Sequence, residues 1–534
     1  METDTRSLDH LGIVAAVFDR LGIADVIDSR MPKLRQHKLE HSVIVKAMVL
    51  NGLGFVGQRL YLFPEFYERL PVERLLGDGV NASDLNDDAI GRTLDAIYEQ
   101  GATDLFNEIA LKVMGELELG VQRLHADTTS FSVHGSYEGF NGGRSIEITL
   151  GHSKDSRMDL KQFVLSLVTN QDGIPLFAKA HSGNASDRNT IIESFLKIKS
   201  GLNLEDCAYY IADSAVYTEP NIRMLGREMK WITRVPATIK ECEMLLDSDV
   251  EMVECRDARY RCFSTTSDYG GVQQKWVLYQ SEPMRDLKAE RFENHLEKDG
   301  TKARRSLAKL KRREFACEAD ALKETELWAR DHPLYRFSHI SLKKVCKRAD
   351  KKRGRPKNGE KLIEIYFIDA DIELDQEKVE KTKSRLGRFI IATNDLNIDP
   401  DTLLSYYKGQ QEVERGFRFL KDKSFRVAEV YLKKEERIEA LAMIMVLSLM
   451  IYSVAEWLIR KRLQESNQSI PNQLKKPTQK PTLKWIAFMF LGVTEVNIWL
   501  RGEKHQEIAN LNENTLKIIK LFGPECEKYY GMER

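Results

Sequence analysis

The chain has 534 residues, 42% of them hydrophobic and 30% charged, with 81 basic side chains balanced by 81 acidic ones. That length exceeds what one hydrophobic core serves and implies about three domains, and the composition excludes a disordered or fibrous protein. A formal net charge of zero excludes polyanion binding through bulk charge, so any such contact has to come from local clusters.

Residues 1–118 are expected to form a helical N-terminal domain, because LGIVAAVFDRLGIADVID and DLFNEIALKVMGELELG carry apolar residues at helical spacing. The opening METDTRSLDHLG has no apolar signal core. From His125 the pattern becomes that of strands: LHADTTSFSV, SIEITLGHS, KQFVLSLVTN and IPLFAKAHS are short apolar or alternating runs divided by Gly, Asn and Asp. Asn170 to Gly173 reads as a hairpin turn between the last two. A helix over Asn189–Lys199, a strand over 207–215, a helix around Asn221–Met229 and a strand over 231–236 follow. Strands followed by alternating helix and strand predict an α/β fold, a mixed sheet with helices packed against it, whose first part covers 119–240.

A long interval then separates Pro236 from the next strand of this kind, RFIIATN at 388–394. It holds a hairpin (YRCFSTTSDYGGVQQKWVLYQ), a charged helical region over 283–330 and a strand KLIEIYFIDADIEL. A segment of that length with its own hydrophobic pattern is an α+β insertion domain, placed at 241–386. The core resumes over 387–465 with a helix from Leu403 to Lys421 and an apolar run from Ala440 to Ala455. That run of 16 residues, bounded by Glu439 and Glu456, falls short of the roughly 20 a bilayer needs, so a buried core helix and no membrane association are expected. A basic, Pro-rich connection, PNQLKKPTQKPTLK, leads into a C-terminal helical tail within 466–534. The seven cysteines are scattered without a Cys-x-x-Cys pair, which favours reduced thiols in a cytoplasmic protein over a disulfide framework or zinc ribbon.

The chemistry concentrates in LLSYYKGQQEVERGFRFLK. Tyr407, Gln410, Glu414 and Lys421 are separated by three, four and seven positions and share one face of a helix, with Arg415 and Arg418 beside them. Glu412, two positions from Glu414, faces away from it. Asp127 in LHADTTSFS and Asp213 in YYIADSAVYTEPN both sit where an apolar run gives way to polar residues. Each acid alone is an ordinary surface or capping residue. Together, carboxylates that converge at a sheet edge repel one another unless cations are present, and hard oxygen donors suit Mg²⁺ or Mn²⁺ rather than zinc.

Other motifs weigh less. Gly52, Gly54 and Gly57 match G-x-G-x-x-G, but the proline soon after precludes the helix a nucleotide fingerprint needs, so a helix end and turn is expected. Lys343 to Lys361 holds ten basic and two acidic residues, and its Arg353-Gly-Arg355-Pro core has the form of an AT-hook, which lays arginines along a narrow minor groove. Lys302 to Arg313 holds seven basic residues and no acid on an expected helix, where an ordinary outer face is the plain alternative. His125, His134, His152 and His181 lack zinc-site spacing and read as phosphate or backbone partners. Trp276 alternates like a strand core residue.

The segments HADTTSF, IADSAVYTEPN and YYKGQQEVERGFRFLK resemble the three catalytic blocks of bacterial insertion-sequence transposases of the Asp-Asp-Glu class, in the subgroup with a Tyr-x2-Arg-x3-Glu-x6-Lys signature. Tyr407, Glu414 and Lys421 fall at the signature spacing, and GHSKDSRMDLKQ and HSGNASDRNT are also similar to family segments. Gln410 departs from the pattern, standing where the family has Arg. The resemblance implies an RNase H-like core in which Asp127, Asp213 and Glu414 hold two Mg²⁺ ions, with Mn²⁺ able to substitute. It implies that Tyr407, Gln410, Arg418 and Lys421 meet phosphates, with Arg353 and Arg355 as further DNA contacts. The expected activity is cleavage at the terminal inverted repeats of an element and strand transfer into target DNA. The expected state is a homodimer on double-stranded DNA, cytoplasmic and associated with the nucleoid when bound. The alternatives are a non-catalytic DNA-binding protein derived from a transposase and a stand-alone metal nuclease.

Overall fold

The computed structural model describes residues 2–55, 63–135, 137, 145–155, 157–202, 208–348, 362–422, 432–500 and 503–532. In chain order the strands are β1 (Glu2–Ser7), β2 (Arg123–Ser132), β3 (Gln162–Asn170), β4 (Pro175–Ser182), β5 (Tyr209–Ala212), β6 (Lys230–Arg234), β7 (Val253–Glu254) and β8 (Tyr260–Tyr269). They continue with β9 (Val272–Ser281), β10 (Tyr335–Arg348), β11 (Leu362–Leu374), β12 (Arg388–Thr393), β13 (Ile470–Pro471), β14 (Pro477–Thr478), β15 (Thr494–Leu500) and β16 (Glu503–Ala509).

Nine strands form the central sheet in the order β4-β3-β2-β5-β6-β12-β9-β8-β7. β2, β3 and β4 are antiparallel neighbours, and β5 and β6 run parallel to β2. Three antiparallel strands followed by two parallel to the first make an RNase H-like core, as the family resemblance implies. The turn between β3 and β4 is the expected one: Gly173 takes φ +75° and donates to the Asn170 carbonyl at 3.1 Å, a conformation glycine adopts without a Cβ penalty. Every residue of β3 is buried because both faces of the sheet are covered. Ser166 meets Ser194 of the helix Asp187–Leu202 on one face, while Leu167 lies near Gly416 of the helix Gln410–Leu420 on the other.

The apolar run at 440–455 lies inside a 31-residue helix, Glu435–Glu465, with apolar residues on all sides. By length and composition this helix could cross a membrane, but 83% of its most apolar window is buried in the fold. It is the axis of the protein. Arg437 near its start makes a two-pronged ion pair with Asp95 of the helix Asp87–Gln100, at 2.7 Å for each bond. Near its other end the Glu456 carboxylate accepts from the Leu483 amide at 2.9 Å.

Three expectations need correction. The strand expected over SIEITLGHS is absent apart from one bridge, Thr149 to Gln162, because the run pairs with β3 only at its first residue. The hairpin β8–β9, assigned to the insertion, extends the central sheet instead, with β9 paired along all of β12. The unit with its own core, built on Ala303, Leu307, Trp328 and Ile368, comprises the helices Glu282–Lys311 and Glu318–Asp331 and the ribbon β10–β11. The N-terminal region is helical as expected apart from β1, and the C-terminal segment is not a helical tail. β1 pairs with β15 and β15 with β16, since TEVNIWL alternates as a strand does. The two chain ends are locked further by Lys46, whose Nζ lies 2.7 Å from both Asp19 Oδ1 and the Tyr529 hydroxyl.

Candidate active site

Asp127 and Asp213 are set side by side by strand register. The parallel pairing of β2 with β5 matches His125 with Ile211, so two residues further on each chain place the two acids at adjacent positions on one face. Asp127 also lies opposite Leu167, which fixes that face as the one covered by the helix Gln410–Leu420. Both carboxylates are half-buried. Asp127 Oδ1 accepts from the Thr128 amide at 2.7 Å and has Lys154 Nζ at 3.6 Å. Asp213 Oδ1 accepts from the Ala215 amide at 2.9 Å, and its backbone carbonyl takes the Thr233 hydroxyl of β6 at 2.6 Å. Short side chains tied to their own backbone hold the oxygens at the sheet edge without a long flexible stem.

The helix expected over 403–421 is two helices, Pro400–Lys408 and Gln410–Leu420, joined at Gly409. The joint is a tightened turn: Gly409 donates to the Tyr406 carbonyl and Glu412 donates to the Gly409 carbonyl. Its cause is close packing on β2, since a Cβ at Gly409 would stand 2.7 Å from both Cε1 and Nε2 of His125. His125 is 1% exposed, and burial aided by Arg123 lowers its pKa to about 4, with the Gln410 side chain opposing the shift. It therefore packs as a neutral ring.

Tyr407 ties the site together. Burial raises its phenol to about 12; Arg234 opposes the shift, and Asp213, Glu414 and Asp127 all add to it. One hydroxyl thus stands within electrostatic reach of all three acids and of the cation that ends β6. Glu414 is exposed on its helix, as is Arg418. Lys421 Nζ grips both oxygens of Asp155, at 2.9 and 2.8 Å, and lies 5.6 Å from the centre of the Phe131 ring. Glu412 lies on the other face, paired with Arg415 at 2.9 Å and close to Gly173.

Gln410 is not on the open face. It is 7% exposed and donates from Nε2 to the Ala126 carbonyl at 2.8 Å, so it fastens the helix to the strand that carries Asp127. The offset of three from Tyr407 assumed one regular helix, and the turn at Gly409 removes that regularity. Arg353 and Arg355 lie outside the described residues. So does Gly57 of the G-x-G-x-x-G match, whose Gly52 and Gly54 end the helix His41–Leu53 as expected. His181 is buried with Nε2 2.9 Å from the Ser166 hydroxyl. Trp276 is 2% exposed and donates to the Tyr217 hydroxyl, a core position.

Lys154 and Arg234 are site residues that the sequence reading did not single out. Lys154 falls in GHSKDSRMDLKQ, where a lysine among polar residues gave no geometric signal. With His152, Ser130, Arg188 and Ala215 it borders a cleft of about 270 Å³ at the Asp213 edge. Among the described residues no three His, Cys, Asp or Glu side chains stand close enough together to hold a metal ion. The adjacent carboxylate pair, Asp127 and Asp213, offers an all-oxygen donor set of the kind a hard divalent cation takes.

A family model described as a transposase DDE domain matches residues 123–451, more than half of the chain, and spans both aspartates and Glu414. A second model, for a domain of unknown function (DUF4277), matches residues 3–111. A search of curated proteins finds none that matches. With an RNase H-like sheet, two acids on adjacent strands and a third on the helix beside them, the chain belongs to the DDE-domain transposase family.

Proposed function

We propose that this protein is an active DNA transposase that cleaves the terminal inverted repeats of its own element and joins the freed ends to target DNA. The observation that carries the reading is the strand register that sets Asp127 and Asp213 side by side on the face covered by the helix that bears Glu414. Asp127 and Asp213 would hold one Mg²⁺, and Asp127 with Glu414 a second, with Mn²⁺ able to replace either. Glu414, exposed on a short helix, would complete the set. When bound, the ions supply a clamp on the attacking and leaving oxygens of an in-line phosphodiester displacement.

The chain's own residues orient the strand. The Tyr407 hydroxyl keeps its proton at neutral pH and donates to a phosphate oxygen. Arg234, Arg418 and Lys421 neutralise backbone charge on either side of the cut. In the first step water attacks phosphorus and a strand ending in a 3′-hydroxyl leaves; in the second that hydroxyl attacks a target phosphodiester and the target's own 3′-oxygen leaves. The unit formed by residues 1–118 and the C-terminal strands would read the end sequence. Two ends joined at one target imply a homodimer on double-stranded DNA, in the cytoplasm and on the nucleoid.

The test uses a labelled element-end duplex with Mg²⁺, comparing wild type with Asp127→Ala, Asp213→Ala and Glu414→Ala. The reading expects all four to bind and only wild type to cut. Equal cutting by the three variants would overturn the site. Binding without cutting by wild type would mark a non-catalytic descendant, and cutting of any duplex regardless of end sequence would mark a stand-alone nuclease.

A further inference from the structure

The helix Glu282–Lys311 leaves the same sheet edge that carries the acids. β6 ends at Arg234, which lies opposite Ile391 of β12, and the first residue of β12, Arg388, lies opposite Gln280 at the end of β9. The helix begins one residue after β9, capped by Ser281. Its second turn stays near the site: burial lowers the pKa of Lys288, and Arg234 adds to the effect. Arg234 is the same cation that acts on Tyr407.

Beyond that point one face of the helix is buried and the opposite face is basic. Gly300, Ala303, Leu307 and Leu310, at steps of three and four, pack into the insert's own core. On the other side Arg291, Lys298, Lys302, Arg305, Lys309 and Arg312 follow the same rhythm, and all are exposed. His295 fills the remaining step and pairs with Asp299 at 2.9 Å, which also stands 3.8 Å from Lys302. The other five cations have no ion-pair partner among the described residues. Helices with exposed charge usually intersperse both signs along a face, pairing them at i and i+4. This face is of one sign over 21 residues, about 32 Å of axis at 1.5 Å per residue, close to one turn of B-form DNA.

We propose that this stripe is a docking arm for duplex DNA, along which phosphates flanking the cut site lie in a manner independent of sequence. The proposal rests on the transposase reading for the identity of the duplex but not on catalysis. Like-charge repulsion along such a face is relieved by a polyanion, and the pairing of β6, β12 and β9 places the start of the helix at the sheet edge that carries the acids. Contacts to phosphate position a protein without reading bases.

The test is the salt dependence of duplex affinity, by fluorescence anisotropy, for the full chain and for a variant carrying Lys302→Gln, Arg305→Gln, Lys309→Gln and Arg312→Gln. Each phosphate neutralised contributes about 0.9 to the slope of log K against log salt. Loss of four contacts should make that slope shallower by about 3 to 4. The change should be equal for an element-end duplex and a random one of the same length. A charge-preserving variant (Lys302→Arg, Arg305→Lys, Lys309→Arg, Arg312→Lys) should keep the wild-type slope. All four positions are exposed, so the melting temperature should not move. An unchanged slope in the neutralised variant, or a loss confined to the element-end duplex, would overturn the arm. A wild type that never cuts yet shows the slope change would sink the proposed activity and leave the arm standing.

Discussion

Gly409→Ala is the smallest change that should separate DNA binding from cleavage. The backbone there (φ −58°, ψ −16°) accepts alanine, and helix propensity alone would favour the exchange by about 1 kcal/mol. The added methyl would nevertheless stand 2.7 Å from two atoms of the His125 ring and 3.1 Å from the Tyr406 carbonyl. Carbon atoms pack at about 3.5–4.0 Å, so something has to yield by about 1 Å. His125 sits in a central strand with pairing partners on both sides, β3 and β5, so the element that yields is the helix carrying Glu414. Overpacking of this kind costs about 1–3 kcal/mol, leaving a net loss of about 0–2 kcal/mol after the propensity gain. A 1 Å misplacement in an active site can cost about 100-fold in rate. Single-turnover cleavage of a labelled end duplex should fall by about that factor, with duplex affinity unchanged. His125→Ala in the same chain removes the obstructing ring and should restore most of the rate, a coupling that a double-mutant cycle measures. Wild-type cleavage by Gly409→Ala alone would refute the argument that this contact sets the position of Glu414.

Gln410→Ala should lose the bond to the Ala126 carbonyl and about 1 kcal/mol of stability in urea unfolding, and should slow cleavage more than it weakens binding. An effect on duplex affinity alone would return Gln410 to the role of a phosphate contact. Stability should also fall in mild acid. Burial lowers His10, His125 and His181 from 6.5 to about 4, so the unfolded chain takes up protons at a pH where the folded one does not. Stability from these groups is therefore complete above about pH 6.5 and is lost progressively as pH drops toward 4, by up to roughly 3 kcal/mol for each ring. His125→Asn should flatten that part of the profile in urea titrations across this range. A profile equally steep with and without the ring would contradict the assignment.

Much of the site was legible because it depends on local chemistry. Acids where apolar runs end, a turn of the Asn-Gln-Asp-Gly kind and a carboxylate on a basic helix are written within a few residues of each other. The burial of the apolar run at 440–455 was legible from its 16 residues bounded by Glu439 and Glu456, although the whole helix is long enough to cross a membrane. What failed depended on distant partners. The alternation in β8 and β9 marks a hairpin but carries no information that β9 pairs with β12, more than a hundred residues on. TEVNIWL alternates as a strand does, but nothing local to it says that β1, nearly five hundred residues earlier, is its partner. SIEITLGHS had strand composition, but its only bridge among the described residues is Thr149 to Gln162. The turn at Gly409 was invisible for the same reason: the glycine is required by a histidine almost three hundred residues earlier.

The central claim is that Asp127, Asp213 and Glu414 form one divalent-metal site on this chain. Mn²⁺ binding to the full-length protein on an end duplex, followed by electron paramagnetic resonance, tests it without relying on turnover. Asp127→Asn, Asp213→Asn and Glu414→Gln should each weaken binding or lower the number of ions held, with Asp127→Asn the most severe because its carboxylate serves both positions. Mn²⁺ binding identical to wild type in all three would contradict the account.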